Sequence, residues 1–170
     1  MEPTTVSLRF TPLPVHVRTA RLVAAAVARR SGVDEEVLDE VRLAVGEASS
    51  RAVDLHQANC PDEPVMIRLT DGGTRFTVEV VDRVPTPNTY IPEQPAEALE
   101  QVGAVEAQML GEGRTARDEG DDRLAHSVGL AVIEGLVDDV AFVREPDGLV
   151  LRMSWPLGPN LPPDAGPDGG

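Results

Sequence analysis

Residues 65–82 read VMIRLTDGGTRFTVEVVD, and the way this segment turns back on itself decides the architecture. VMIRLT and TRFTVEVVD each alternate apolar with polar side chains, the period-two pattern of a strand with one buried face. Between them stands Asp71-Gly72-Gly73, a hairpin signal, because glycine takes up the positive φ of a tight turn without steric cost. Strands joined by so short a connection pair antiparallel.

Working back towards the N-terminus, TVSLRF (5–10) places Val6, Leu8 and Phe10 on one face of a first strand, which Pro12 and Pro14 break. An Ala-rich helical run follows from Val15 to Arg30, stopped by Ser31-Gly32. A second helix is expected to begin near Asp34, a good N-cap with Glu35 and Glu36 at the positive end of the helix dipole. Its apolar positions Val37, Val41, Ala44, Val45, Ala48, Ala52 and Leu55 share one face. At about 100° per residue, Glu40, Glu47 and Arg51 fall together on a shoulder of that face.

Towards the C-terminus, the proline-rich stretch 83–95 ends the hairpin, and AEALEQVGAVEAQML (96–110) reads as a helix. GEGRTARDEGDDR (111–123) has no periodicity and is expected to be a mobile loop. SVGLAVIEGLVDD (127–139), apolar nearly all round, reads as a buried helix capped by Ser127. VAFVRE (140–145), a Pro146-Asp147-Gly148 turn and LVLRMSW (149–155) form a second hairpin, with Leu149, Leu151, Met153 and Trp155 on one face. The Pro/Gly-rich tail 157–170 is expected to be disordered. The order β-α-α-β-β-α-α-β-β predicts an α/β (α+β) two-layer sandwich: a mixed, mainly antiparallel sheet with helices on one face, in a single domain spanning 1–156.

Composition narrows the function. The 170 residues are 41% hydrophobic but only 3% aromatic, so the core is aliphatic. A net charge of −14 disfavours direct binding to nucleic acid, whose phosphates the mean field repels. All fifteen basic residues are arginine, which removes lysine-based phosphate loops and Schiff-base chemistry. No apolar run approaches the ~20 residues that span a bilayer, and the first ten residues lack the pattern of an export signal. The single cysteine, Cys60, fits a reduced, cytoplasmic setting; its acidic neighbours disfavour a thiolate. His16, His56 and His126 are too widely spaced to suggest a metal site, and His126 borders the acidic loop.

Three segments carry a further reading: LAVGEASSRAV (43–53), VEVVDRVP (78–85) and SVGLAVIEGLVDDV (127–140). Together with the element order they resemble the anti-sigma-factor serine kinases of bacteria, which have the GHKL (histidine-kinase-like) ATPase fold. The resemblance runs over about residues 5 to 156. It implies that Glu47 stands at the position of the general base, and that Arg51 replaces an asparagine that holds Mg²⁺. It implies that Asp82 matches the carboxylate bonding the adenine amine, with Val84 and Thr86 where the family has glycines. Ser127, Gly129 and Leu130 then match the Gly-x-Gly-Leu turn that cradles phosphate at a helix N-terminus.

These departures have physical consequences. A guanidinium has no acceptor lone pair, so Arg51 cannot ligate a hard cation that seeks oxygen donors. Two like unit charges about 4 Å apart repel by roughly 4 kcal/mol at an effective dielectric of about 20, and a divalent ion doubles that. Arg51 would also favour ionised Glu47 and weaken it as a base. β-Branched Val84, beside Pro85 with no N–H, is poor where backbone must approach a ligand. Read without the resemblance, Glu47 and Arg51 are an i,i+4 helix-surface ion pair, Asp82 a turn residue, and Gly129 a helix-packing position.

The sequence therefore points to a regulatory binding protein, anti-sigma-factor-like, with kinase activity weak or lost through a degenerate nucleotide site. The partners implied are a sigma factor, a small STAS-type antagonist, or both; ATP or ADP would bind weakly and Mg²⁺ is disfavoured. An active ATP-dependent serine kinase acting on such an antagonist, with Glu47 as base, is the first alternative. A nucleotide sensor without phosphotransfer, in which Arg51 stands in for the metal, is the second. The first helix and nearby strand ends are the expected contact surface. Homodimerisation is left open.

Overall fold

The computed structural model describes residues 2–84, 95–111, 129–146 and 148–158. The chain runs β1 (Thr4–Phe10), α1 (Pro14–Ser31), α2 (Leu38–Asn59), β2 (Val65–Asp71), β3 (Arg75–Asp82), α3 (Pro95–Gly111), a helix α4 over 129–136, β4 (Asp139–Glu145) and β5 (Gly148–Pro156). The five strands form one sheet in the order β1-β2-β3-β5-β4. Every pairing is antiparallel, in keeping with the mainly antiparallel sheet expected from the sequence. β2–β3 and β4–β5 are joined by hairpins and β1–β2 through α1 and α2, while the segment carrying α3 and α4 crosses from β3 to β4, which run parallel to each other on either side of β5.

Side-chain alternation makes one face of the sheet apolar from edge to edge. The partners Val6, Leu69, Val78, Met153 and Val140 form one row across it, and Leu8, Ile67, Val80, Leu151 and Phe142 the next. α1 and α2 cover these rows with small residues, Ala20, Ala24 and Ala28 from one helix and Ala44, Ala48 and Ala52 from the other, all buried. Phe76 and Trp155, neighbours across β3 and β5, pack in a tilted arrangement with ring centroids 6.4 Å apart. The Trp155 indole N–H donates to the Leu136 carbonyl at 3.0 Å and ties the end of α4 to the sheet. The opposite face carries charges instead: Glu79 bridges Arg68 at 2.9 Å and Arg152 at 2.7 Å, and Arg68 reaches Glu145 at 2.6 Å.

Local chemistry sets the element ends. Gly32 adopts a left-handed conformation (φ 94°) after α1, and Val33 N–H donates to the Ala28 carbonyl, which closes the helix as Ser31-Gly32 predicted. The Asp71-Gly72-Gly73 turn is held by Gly72 N–H to the Arg75 carbonyl and by Gly73 N–H to the Asp71 carboxylate, each at 2.9 Å. The start of α2 differs from expectation. Asp34 accepts from Glu36 N–H at 2.9 Å, but this caps a preceding turn, and the helix proper begins at Leu38. A short polar residue satisfies the first free amide it meets, here that of a turn.

α4 departs from the reading of a helix buried all round. Leu130 and Ile133 are buried, whereas Ala131, Glu134 and Gly135 are exposed. It lies at the margin of the helical layer, so one stripe faces inward. Ser127, the loop at 112–123, Asp147 of the second turn and the tail from 159 lie outside the described residues.

Candidate functional site

Helical spacing on α2 and the start of α4 build an open cleft of about 120 Å³, lined by Glu47, Ser50, Arg51, Asp54, Gly129, Leu130 and Ile133. Glu47, Ser50, Arg51 and Asp54 fall at i, i+3, i+4 and i+7, so one helical stripe supplies four polar side chains. Gly129 lets the start of α4 approach that stripe: a Cβ placed there would stand 3.2 Å from Glu47 Oε2. Four residues singled out from the sequence, Glu47, Arg51, Gly129 and Leu130, therefore meet at one cleft. Asp82 does not line it, and Ser127 lies outside the described residues.

Asp82 has its own surroundings. Period-two alternation puts it on the same face as Phe76, Val78 and Val80, so a carboxylate is carried into the core and is fully buried. Its Oδ1 accepts from Val84 N–H at 2.8 Å and faces His56 Nε2 at 3.4 Å. Its Oδ2 is 3.6 Å from Arg51 Nη2. Oδ2 has no hydrogen-bond partner among the described residues. Val84, where a glycine was looked for, is itself buried, and its amide turns back to Asp82.

Arg51 is the link between cleft and core. Only 5% of it is exposed, and its Cζ lies 5.5 Å from the centroid of the Phe142 ring, a cation–π arrangement. Of the shoulder read from the sequence, Glu40 is exposed, Glu47 is half-buried and Arg51 is buried, so the shoulder tilts inward along the helix. This buried environment distinguishes Arg51 from the exposed helix-surface ion pair of the plainer reading.

His56 was not assigned a role from the sequence, yet it is fully enclosed beside Asp82. Its Nδ1 hydrogen-bonds the Glu63 carbonyl at 2.9 Å. Its Nε2 meets two groups: the Arg83 amide, which donates to a neutral ring at 3.2 Å, and Asp82, which accepts from a protonated one. Burial is the largest single influence and works against the charged ring. Asp82 and Glu63, through hydrogen bonds and charge, together outweigh it and hold His56 above its ordinary 6.5. Burial, followed by the charges of Asp82 and Glu63, pushes the Cys60 thiol up, in keeping with an unreactive cysteine. The i+3 and i+7 positions of Ser50 and Asp54 could have been found by extending the Glu47 stripe. Nothing local in the sequence marks His56 or Phe142, which arrive through the fold.

Among the described residues no helix is long and apolar enough to cross a membrane, and no group of three or more His, Cys, Asp or Glu converges to hold a metal ion. Comparison with known proteins gives the same outline as the element order. The chain is similar to the serine-protein kinase RsbW of Oceanobacillus iheyensis, 26% identical over 161 residues that cover 88% of this chain and 84% of that protein. The profile of the histidine kinase-like ATPase domain matches residues 10–155, from the last residue of β1 to Trp155 in β5. The antiparallel sheet, the helices stacked on one of its faces and this match agree, and the chain belongs to the histidine kinase-like ATPase domain family.

Proposed function

We propose that the protein is an anti-sigma-factor-like regulator that acts in the cytoplasm by binding, with phosphotransfer weak or lost. Its partners are a sigma factor, a STAS-type antagonist, or both. The regulatory unit is residues 1–156, with 157–170 as a tail. The family is one of ATPase-type domains, and a relative is named as a serine-protein kinase. The observation that carries the reading is the placement of Arg51, whose guanidinium lies in the wall between the cleft and Asp82. The residues present do not fit a divalent ion at that position, since a guanidinium offers no oxygen donor and adds a positive charge. Asp82 stands behind Arg51 and is not among the residues that line the cleft.

The contact surface belongs to α1 and the strand ends beside it. From Pro3 to Val33 the chain has five arginines and no carboxylate, although the whole protein carries −14. On α1, Val15 and Leu22 are exposed at 71% and 57%, and Arg18 is exposed between them. A basic, apolar-studded helix suits an acidic patch on a partner, while the acidic remainder suits the positively charged surfaces of a sigma factor.

One feature favours the kinase alternative: Glu47 lines the cleft and faces the start of α4, where a base acting on a hydroxyl nucleophile would stand. The two readings separate when the protein is incubated with Mg-ATP and a STAS-type antagonist while partner binding is measured in parallel. Stable complex formation without phosphoserine supports the regulator. Phosphoserine formed at catalytic turnover establishes the kinase.

A further inference from the structure

We infer that His56 is a proton-operated latch: its Nε2 either accepts the Arg83 amide, holding the chain where it leaves β3, or gives up that bond to donate to the Asp82 carboxylate. The latch belongs to the joint between the end of α2 and the end of β3. It goes beyond the functional reading of the cleft and does not rest on it.

A chain of backbone bonds first fixes which ring nitrogen titrates. The His56 carbonyl accepts Cys60 N–H at 2.8 Å, the Cys60 carbonyl accepts Glu63 N–H at 3.0 Å, and the Glu63 carbonyl returns to His56 Nδ1 at 2.9 Å. A carbonyl only accepts, so Nδ1 carries a proton in both charge states of the ring. Nε2 is left as the titrating atom, and it stands between groups of opposite demand. The Arg83 N–H lies at 3.2 Å and Asp82 Oδ1 at 3.4 Å. The first needs a lone pair and the second needs an N–H; one ring nitrogen offers one or the other. Arg83 has little else to hold it. The β3–β5 register ends at Asp82–Leu149, so its amide lies beyond the ladder. Its guanidinium is 3.9 Å from Glu63 Oε2, past hydrogen-bond distance, and its Nε has no hydrogen-bond partner among the described residues. Asp82 is better anchored, because Val84 N–H donates to Oδ1 at 2.8 Å.

Protonation therefore exchanges one bond for another. The Nε2–Oδ1 separation shortens from 3.4 Å towards the roughly 2.8 Å of a charge-assisted bond. The Arg83 amide then faces an N–H and turns to water, which reaches this half-buried residue. Val84, the next residue, packs with Leu55 and Cys60 in a small core of its own, so the release acts at the edge of that core. Among the described residues the charges around the ring are Asp82 on β3, Glu63 after α2, Arg83 past β3 and, across Asp82, Arg51 on α2. Burial raises the Cys60 thiol above its ordinary 9.0, clear of the range in which the latch works. Burial also opposes a charged His56, but Asp82 and Glu63 together outweigh it and place the transition above 6.5. Local and global trends then oppose each other. Protonation stabilises the fold as a whole and yet frees one amide, whereas a histidine that only packs would move both in the same direction.

The test follows the nitrogen-15 resonances of the full chain by NMR, with hydrogen exchange of the Arg83 amide, from about pH 5.5 to 8.5. In wild type, Nε2 is expected to pass from a lone-pair to an N–H signature with its midpoint above 6.5, while Nδ1 keeps its N–H signature throughout. Protection of the Arg83 amide, corrected for intrinsic exchange, is expected to fall at least about tenfold from the basic to the acidic end, as Tm rises. His56→Gln, which keeps an acceptor oxygen and cannot be protonated, is expected to hold the amide protected at both ends. Asp82→Asn is expected to lower the His56 midpoint by about one unit or more, and it carries the test if His56→Gln does not fold. Titration at Nδ1, Arg83 protection that does not change with pH in wild type, the same pH dependence in folded His56→Gln, or an unmoved midpoint in Asp82→Asn each overturns the inference.

Discussion

His56 and Asp82 face each other inside the core with Nε2 and Oδ1 3.4 Å apart and neither residue exposed to solvent. A buried histidine beside a carboxylate makes stability depend on pH. Because the folded state holds the His56 pKa above 6.5, the contribution is complete below pH 6.5. It is lost as pH rises through the raised folded value. The Tm should therefore fall as pH is raised from about 6.5, a slope that His56→Gln and Asp82→Asn should each flatten. Cys60 adds a slope of the same sign only above its ordinary 9.0, so the histidine window stays separable. A wild-type Tm that is flat or rising from pH 6.5 to 8.5 would contradict the pairing.

Gly148 supplies a backbone prediction. Its φ of 148° lies outside the range L-residues favour, and a Cβ there would stand 1.9 Å from the Asp82 carbonyl oxygen. β5 begins where β3 ends, so this glycine permits the backbone contact that fixes Asp82 at the strand terminus. Gly148→Ala should destabilise by about 2–3 kcal/mol or more, through strain plus displacement of β3. Gly73→Ala, at φ 81° with open space around its Cβ, should cost only about 1–2 kcal/mol. Denaturant unfolding of the two variants checks the ordering.

Much of the fold was legible because alternation and turn chemistry agreed at every hairpin. Val65–Asp71 and Arg75–Asp82 follow VMIRLTDGGTRFTVEVVD nearly residue for residue, and Gly32 ends α1 where Ser31-Gly32 did in the sequence. The start of α2 was misplaced because Asp34 can cap a turn as readily as a helix. At the site, spacing along one helix brought Glu47 and Arg51 together, but it could not say that Arg51 turns inward to Phe142, ninety-one positions later in the chain. That depends on which strand lies beneath α2. The same alternation that identified β3 did contain the burial of Asp82, which shares a face with Val78 and Val80.

Gly129 tests the cleft mouth. A Cβ at this position would press on Glu47 Oε2 at 3.2 Å, and that carboxylate is the free end of a flexible side chain. Gly129→Ala should therefore cost less than about 1 kcal/mol of stability, because Glu47 can rotate away. Gly129→Val, with two further methyl groups, should narrow the cleft. ATP binding, measured without magnesium, should then weaken at least about tenfold, while unfolding still shows a single cooperative transition. Undiminished ATP affinity in Gly129→Val would mean that the nucleotide does not enter between α2 and α4.

The last prediction concerns α1. Arg18 and Leu22 lie one turn apart on its exposed face, in a stretch without carboxylates, while Ala20 and Ala24 on the opposite face are buried in the core. Substitutions confined to the exposed face should leave the fold intact, so Arg18→Glu with Leu22→Ser should change stability by no more than about 0.5 kcal/mol. Reversing one charge opposes an acidic partner directly, and removing Leu22 deletes an exposed apolar anchor. Partner affinity should fall by at least about a hundredfold at low salt, with a smaller loss at high salt, where screening weakens the charge component and leaves the apolar one. Surface-binding measurements at two ionic strengths separate the components. Retention of full affinity by this variant would move the contact surface away from α1, and with it the case for an acidic partner patch.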